Sequence, residues 1–257
     1  MDYNFHTHTW RCSHATGTEE EYLVRAIENG IRYIGFSDHI PFRCPDGYES
    51  VSVRVPVDQA EDYCQDLRLL REKYKDQVEL YIGFESEYFP EQFETMLDDA
   101  RRWGAEYLIL GQHYTKPEHP NGKHANVPTT DVDELKIYAQ SLIAAMETGV
   151  FTYVAHPDVF RFTGDETVYQ DVMREVCVAS RLHNMPLELN FYGIRDRRHY
   201  PRESFWKIAG EERAPVTFGF DSHDVRSAYD GESLQTAQQL VEMYHLNYIG
   251  KPQLVFI

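Results

Sequence analysis

The sequence predicts an α/β protein whose strands close into a β/α barrel, and two observations carry that expectation. Short apolar runs alternate with longer helical periodicities through seven pairs, the pattern of βαβ units and a parallel sheet. An open, doubly wound sheet would satisfy the alternation equally well. The second observation separates them: histidines and acids fall just past the C-terminal end of nearly every strand, and in barrels that rim builds the site.

The first strand spans residues 3–5 and runs into His6-Thr7-His8. Thr18 followed by Glu21 forms a capping box, opening a helix that reaches about Asn29 and is stopped by Gly30. A second strand, 33–36, leads into Ser37-Asp38-His39. From 57 to about 75, Ala60, Tyr63, Cys64, Leu67 and Leu70 recur at three- and four-residue intervals, which predicts an amphipathic helix. The third strand, 78–84, ends at Glu85, and a helix from about 92 to 103 precedes the fourth strand, 107–110. Residues 131–148 place Leu135, Tyr138, Leu142 and Met146 on one helical face, and 151–155 follow as strand five. Segments 165–184, 187–189, 202–212, 216–220 and 231–244 complete the alternation. The polar stretch 116–130, with three prolines and one glycine, suits a rim loop better than a linker. No shift of composition divides the chain, so 1–257 is expected to be a single domain.

Composition narrows the function classes. The chain has 257 residues, long enough for a substantial core without disulfide or metal staples. An apolar content of 42% with 14% aromatics excludes a disordered chain. The net charge of −17 argues against a general nucleic-acid or anionic-membrane binder, though a local basic pocket could still hold a phosphate. Apolar runs are only a few residues long, too short to span a bilayer, and the N-terminus lacks the pattern of a secretory signal. Cys12, Cys44, Cys64 and Cys177 show no close spacing, which suits a reducing compartment. A cytoplasmic protein with neither nucleic acid nor membrane as partner is the expectation.

Of the twelve histidines, seven (His6, His8, His14, His39, His113, His156 and His223) lie at or just beyond strand ends, as do Glu85 and Asp221. Side chains two apart on a strand share a face, so His6 and His8 can share one ion. Imidazole and carboxylate are ligands for zinc, iron or manganese, and a mixed set this large suggests more than one cation. The other histidines have bland explanations. His119, His124 and His199 sit in polar loops, and His183 and His245 end helices, where positive charge is favoured. Of these, His124 is the one a rim loop could bring to the site.

The ordered series His6-Thr7-His8, Asp38-His39, Gly83-Phe84-Glu85, Gly111-Gln112-His113, Ala155-His156-Pro157-Asp158 and Asp221-Ser222-His223 resembles the polymerase and histidinol phosphatase (PHP) superfamily, in particular its histidinol-phosphatase branch. The resemblance implies a distorted seven-stranded (β/α)7 TIM-like barrel with two or three divalent transition-metal ions (Zn, Fe or Mn) at the C-terminal rim. It implies a first ion on His6, His8, Glu85 and Asp221, a second on His14, His39 and His223, and a third on His113 and His156, with Glu85 bridging. Glu87 shares the inward face with Glu85 and is assigned to the surroundings of the ligands or to the substrate pocket. Asp38 could orient a neighbouring imidazole or cap a helix.

The implied activity is hydrolysis of a small phosphomonoester, L-histidinol phosphate, to L-histidinol and phosphate, with Glu85, Asp221 and His223 as catalytic residues. Clustered cations lower the pKa of water from ~15.7 toward ~7 and neutralise phosphate oxygens. Guanidinium suits the remaining oxygens because its fork is planar and always charged. Arg161 and Arg195 follow strand-end motifs, the latter in Asn190-Phe191-Tyr192-Gly193-Ile194-Arg195, which resembles the branch's Asn-x-x-Gly-x-Arg; Arg43 is a weaker candidate and Arg197 and Arg198 read as solvated neighbours. Asp224 or a water could protonate the leaving alkoxide. The alternatives are a related phosphoesterase acting on another phosphorylated metabolite or nucleotide, and a non-catalytic metal-binding module.

Overall fold

The structure, a computed structural model, describes residues 1–44, 46–50, 53–117 and 122–257. Its strands are β1 (Tyr3–Asn4), β2 (Tyr33–His39), β3 (Glu79–Ser86), β4 (Tyr107–Leu110), β5 (Phe151–Val154), β6 (Leu187–Asn190), β7 (Pro215–Gly219) and β8 (Asn247–Tyr248). All pairings are parallel, and each strand lies beside its neighbour in the chain. That order follows when each crossover returns the chain next to the strand it has just left. The sheet curls until its ends meet at the rim, where the His8 N–H donates to the Ser222 carbonyl (3.0 Å) and the Ser222 N–H to the His6 carbonyl (3.3 Å).

At the opposite end the seam is wedged open. There the start of β7 pairs with β8, Pro215 opposite Asn247 and Val216 opposite Tyr248. The Tyr3 hydroxyl spans the wedge, 3.0 Å from Thr217 Oγ1 and 3.1 Å from the Tyr248 hydroxyl. The sheet therefore has eight strands among the described residues, where the sequence predicted seven. Two residues carry too little alternation to announce a strand.

The helices are α1 (Glu19–Glu28), α2 (Ala60–Tyr74), α3 (Phe93–Trp103), α4 (Val132–Thr148), α5 (Glu166–His183), α6 (Phe191–Arg195), α7 (Glu203–Glu211) and α8 (Gly231–Tyr244). The expected capping box opens α1: the Thr18 hydroxyl accepts from the Glu21 N–H, and the Glu21 carboxylate accepts from the Thr18 N–H. α2 begins later than its periodicity suggests, because Val57–Gln59 form a 3-10 turn, yet it buries the expected Ala60, Tyr63, Cys64 and Leu67. The short α6 was not foreseen; it starts at a strand end, where the Asn190 carboxamide accepts from the Gly193 N–H.

Two apolar layers result. Outward residues of the strands, such as Leu80, Ile82 and Phe84, pack under the helices. Inside the barrel, Tyr3, Phe5, Tyr107, Ile109, Tyr153 and Ala155 form a separate plug. Tyr107 fills its middle, with its hydroxyl 3.0 Å from the Phe5 carbonyl and 3.2 Å from that of Phe36. Residue 83 is glycine for this reason, since a Cβ there would stand 2.4 Å from a Tyr107 ring carbon. β2 and β3 run further than expected, pairing Asp38 with Phe84 and His39 with Glu85, so these residues project from strands rather than from loops. No helix among the described residues is long and apolar enough to cross a membrane.

Candidate metal centre

The strand ends deliver their side chains into one rim. After β1 the Asn4 carboxamide donates to the His6 carbonyl (3.1 Å) and accepts from the Phe220 N–H (3.0 Å), which turns the chain so that His6 and His8 both face inward. His6 Nε2, His8 Nε2, Glu85 Oε2 and Asp221 Oδ1 then converge. The two nitrogens are 3.1 Å apart. Glu85 Oε2 lies 3.4 Å from His6 and 3.3 Å from His8; Asp221 Oδ1 lies 3.6 Å and 3.4 Å from the same atoms. Ligands bound tetrahedrally at about 2.0–2.1 Å stand about 3.3–3.4 Å apart, close to these five separations.

Glu85 divides its two oxygens. Oε2 faces His6, His8 and His39 Nδ1 (3.1 Å), whereas Oε1 faces His156 Nε2 (2.9 Å) and His113 Nε2 (3.5 Å). On the other side of Asp221, its Oδ1 lies 3.2 Å from His223 Nδ1, and His223 Nε2 is 2.9 Å from His14 Nε2. The rings of His39 and His223 each stack on that of His8, at centroid distances of 4.5 and 4.3 Å. All nine predicted ligand residues thus share one cluster.

Hydrogen bonds to the far ring nitrogens fix several imidazoles. His6 Nδ1 is 2.8 Å from Glu188 Oε1, His14 Nδ1 is 2.9 Å from the Cys12 carbonyl, and His223 Nδ1 is 3.2 Å from the Asp221 carbonyl. A carbonyl only accepts, so in the last two Nδ1 carries the proton and the Nε2 lone pair is left for a cation. Glu188 was missed by sequence reasoning. Its signal was an acid between Leu187 and Leu189, and it is fully buried, with Oε2 accepting from the His156 N–H (3.1 Å) and from Asn190 Nδ2 (2.8 Å).

The electrostatics are those of a site waiting for positive charge. Burial resists charge on His6, but Glu188, Asp221 and Glu85 together lift it to about 10. Burial also opposes ionisation of Glu85 and Asp221; the surrounding imidazoles outweigh it and hold both well below the usual carboxylate range. Desolvation and the neighbouring rings push buried His39 well below the ordinary histidine value and the more exposed His14 down to about 4. Glu85 Oε2 and Asp221 Oδ1 are nevertheless buried with no hydrogen-bond partner among the described residues. An orphaned buried carboxylate oxygen is costly, and both orphans belong to the four converging atoms. Residue 111 is glycine because a Cβ there would lie 1.8 Å from Glu85 Oε1. The donor set, nitrogen and oxygen, suits zinc, iron or manganese.

The predicted arginines are placed differently. The Arg195 guanidinium donates to Asp230 (2.8 Å) and to the Asp221 carbonyl (3.1 Å), so it braces the end of β7 instead of entering the cavity. Arg161 is exposed, and Arg43 is exposed beside Glu49 (3.4 Å); neither lines the cavity. Two other arginines do line it: Arg54 and Arg198. Arg54 is buried and donates to both oxygens of Glu87 (2.8 and 2.6 Å), while Arg198 lies 4.0 Å over the Tyr192 ring. The first was hidden in a loop without periodicity. The second, like Arg197, reads in the sequence as a solvated neighbour of Arg195.

Glu87 stands behind His113 Nδ1 at 3.4 Å, as expected of a supporting acid. Asp38 accepts from the Thr9 N–H and lies 3.5 Å from His8 Nδ1, the orienting role and not a helix cap. Asp224 caps the 3-10 turn Val225–Ala228, accepting from the Arg226 and Ser227 N–H groups, and does not line the cavity. His124 does line it, its ring 5.5 Å from that of His113. His199 is 2.7 Å from the Val159 carbonyl, His183 and His245 end helices, and His119 falls outside the described residues.

A parallel barrel with a His/carboxylate rim defines a metal-binding α/β class. The PHP domain model matches residues 4–191, and the chain belongs to that family. Its relatives include a Deinococcus radiodurans protein named "Probable histidinol-phosphatase", 26% identical over 232 residues, covering 85% of each chain. A Schizosaccharomyces pombe protein of the same name is 29% identical over 248 residues, covering 87% of this chain and 81% of that one. Among solved structures, the histidinol phosphate phosphatase of Lactococcus lactis, complexed with Zn, L-histidinol and phosphate, shares the fold with a TM-score of 0.72 at 17% identity, over 96% of this chain and 95% of that one.

Proposed function

We propose that this protein is a metal-dependent phosphomonoesterase that hydrolyses L-histidinol phosphate to L-histidinol and phosphate. The observation that carries the proposal is Glu85, whose two oxygens each face a separate group of imidazoles within one buried rim. His6, His8, Glu85 and Asp221 would hold one cation, His14, His39 and His223 a second, and His113 and His156 a third shared through Glu85. Two or three Zn, Fe or Mn ions would supply Lewis acidity, making hydroxide available near neutral pH and offsetting phosphate charge.

The chain's own groups do the rest. Glu188 holds the proton on His6 Nδ1 and so keeps its Nε2 lone pair inward. Glu85 and Asp221, ionised through the working pH range, concentrate negative charge where cations bind. Arg198 lines the cavity with guanidinium donors for phosphate oxygens, and Arg54, fixed by Glu87, adds a second cationic wall. The cavity, about 190 Å³, is smaller than the ~300–1,000 Å³ of drug-sized ligand sites, which favours a small metabolite over a polymer. The relatives named as histidinol-phosphatases select the substrate among small esters.

Phosphate release should be measured across L-histidinol phosphate, sugar phosphates and nucleotides with protein purified without chelator. L-Histidinol phosphate is expected to give the highest kcat/KM, with at least two transition-metal ions bound per chain. Equal or better turnover of nucleotides or sugar phosphates would reject the substrate assignment.

A further inference from the structure

We infer that His124 is a specificity-determining residue of the proposed reaction, donating its Nε2–H to a hydrogen-bond acceptor on the leaving alcohol and holding no metal. The inference rests on the phosphomonoesterase reading and concerns a rim loop to which no role was assigned.

His124 enters the same cavity as the imidazole cluster. Its Nδ1 accepts from the backbone N–H of Asn126 at 3.1 Å, and an accepting Nδ1 carries no proton, so the ring's hydrogen is on Nε2. The ring is held in place from three directions. Its backbone pairs antiparallel with Tyr114, the next residue's N–H donates to the His113 carbonyl (2.7 Å), and the Tyr114 ring meets it edge-on at 5.1 Å. A loop so fastened to the strand-end residue His113 places a rigid donor beside the cluster.

His124 nevertheless belongs to none of the groups of ligand atoms that converge within 4.8 Å of one another among the described residues. The phosphate must lie against those groups, because its charge is what the cations offset. The remainder of the ester then occupies the rest of the cavity, which His124 lines. A neutral donor there recognises an acceptor such as an unprotonated ring nitrogen, and a simple alkyl alcohol offers it nothing.

The test compares the wild type with His124→Ala and His124→Gln, all metal-loaded. Calorimetry would measure L-histidinol and inorganic phosphate separately, alongside metal content, melting temperature and kcat/KM for L-histidinol phosphate. Loss of one neutral hydrogen bond should weaken L-histidinol binding by about two- to tenfold in the alanine variant. Phosphate affinity and metal content should stay unchanged, and glutamine, which keeps an N–H donor, should restore part of the loss. Loss of metal, equal weakening of both ligands, or no change in either would overturn the inference. If the alanine variant does not fold, unchanged L-histidinol affinity in a variant lacking the donor, His124→Leu, overturns it equally. A wild type that turns over L-histidinol phosphate while these variants bind L-histidinol normally sinks this inference alone; a wild type inactive on that ester sinks the functional reading as well.

Discussion

The two ends of the barrel are built from opposite materials. At the N-terminal end, Tyr3, Phe5, Tyr107 and Tyr153 fill the interior, and the Tyr3 and Tyr107 hydroxyls reach protein acceptors. At the C-terminal end, a few residues along the same strands, imidazoles and carboxylates crowd together, and two carboxylate oxygens find no hydrogen-bond partner among the described residues. The plug leaves one orphan, the neutral Tyr153 hydroxyl, among the described residues. The rim's orphans are oxygens of ionised carboxylates, whose burial costs far more than a hydroxyl's unless a cation completes them. The contrast teaches that the plug is the platform on which an otherwise unfavourable cluster is held.

Changing the rim should therefore alter chemistry and spare the fold, with the largest effect at the residue that both imidazole groups share. Glu85→Gln is expected to lower turnover by at least about a thousandfold and to reduce bound metal, with little change in the far-UV spectrum; the readouts are phosphate release and elemental analysis. A variant that kept its metal and rate would break the contrast. Glu188→Gln sits one step further out. It keeps a carbonyl for His6 Nδ1 but loses the charge, so metal affinity should fall by about 10–100-fold, measured by chelator competition. If the loss equalled that at Glu85, Glu188 would be a ligand.

Much of both ends could be read from residues alone, for different reasons. Strand-end histidines are recognisable because metal ligands are chemically unusual at such positions, and all nine candidates meet in the structure. The wedge made by β8 left no pattern, since two residues cannot show alternation. Arg54 and Arg198 escaped because a guanidinium's role depends on where its long side chain ends, which spacing does not encode. Arg195 had a motif-like position, yet its donors are taken by Asp230 and a backbone carbonyl. Glu188 was detectable in principle as a charge in a strand otherwise apolar, but a single acid carries no period.

The plug should respond in stability alone. Gly83→Ala drives a methyl group to within 2.4 Å of the Tyr107 ring and should destabilise the fold by about 1–3 kcal/mol, measured by urea unfolding, while kcat at 25 °C changes little. A Gly83→Ala variant of full stability would show that Tyr107 can move aside and that the plug is not a rigid platform.

The smallest effect distinguishes the ends by pH, in metal-free protein. Glu85 and Asp221 are held low by their imidazoles, so the stability they contribute is present above their ordinary values of 4.5 and 3.8 and is lost as the pH falls further. The body behaves oppositely. Burial pushes the Cys64 thiol up to about 12 from an ordinary 9.0, and the phenols of Tyr63 and Tyr107 upward as well. Below pH 9 the thiol is protonated whether the chain is folded or not. Between pH 9 and 12 only the unfolded chain releases the proton, so stability drains away as the pH rises through that window. At pH 10.5 the Cys64 share is about 1–2 kcal/mol. Cys64→Ala should remove that share of the alkaline slope and leave the acid slope untouched, whereas His6→Ala should alter behaviour below neutrality and on the way up from pH 6.5 toward 10, where its raised imidazole titrates. A Cys64→Ala variant whose urea midpoint falls between pH 9 and 10.5 as steeply as the wild type's would contradict the assignment of that alkaline loss to the barrel body.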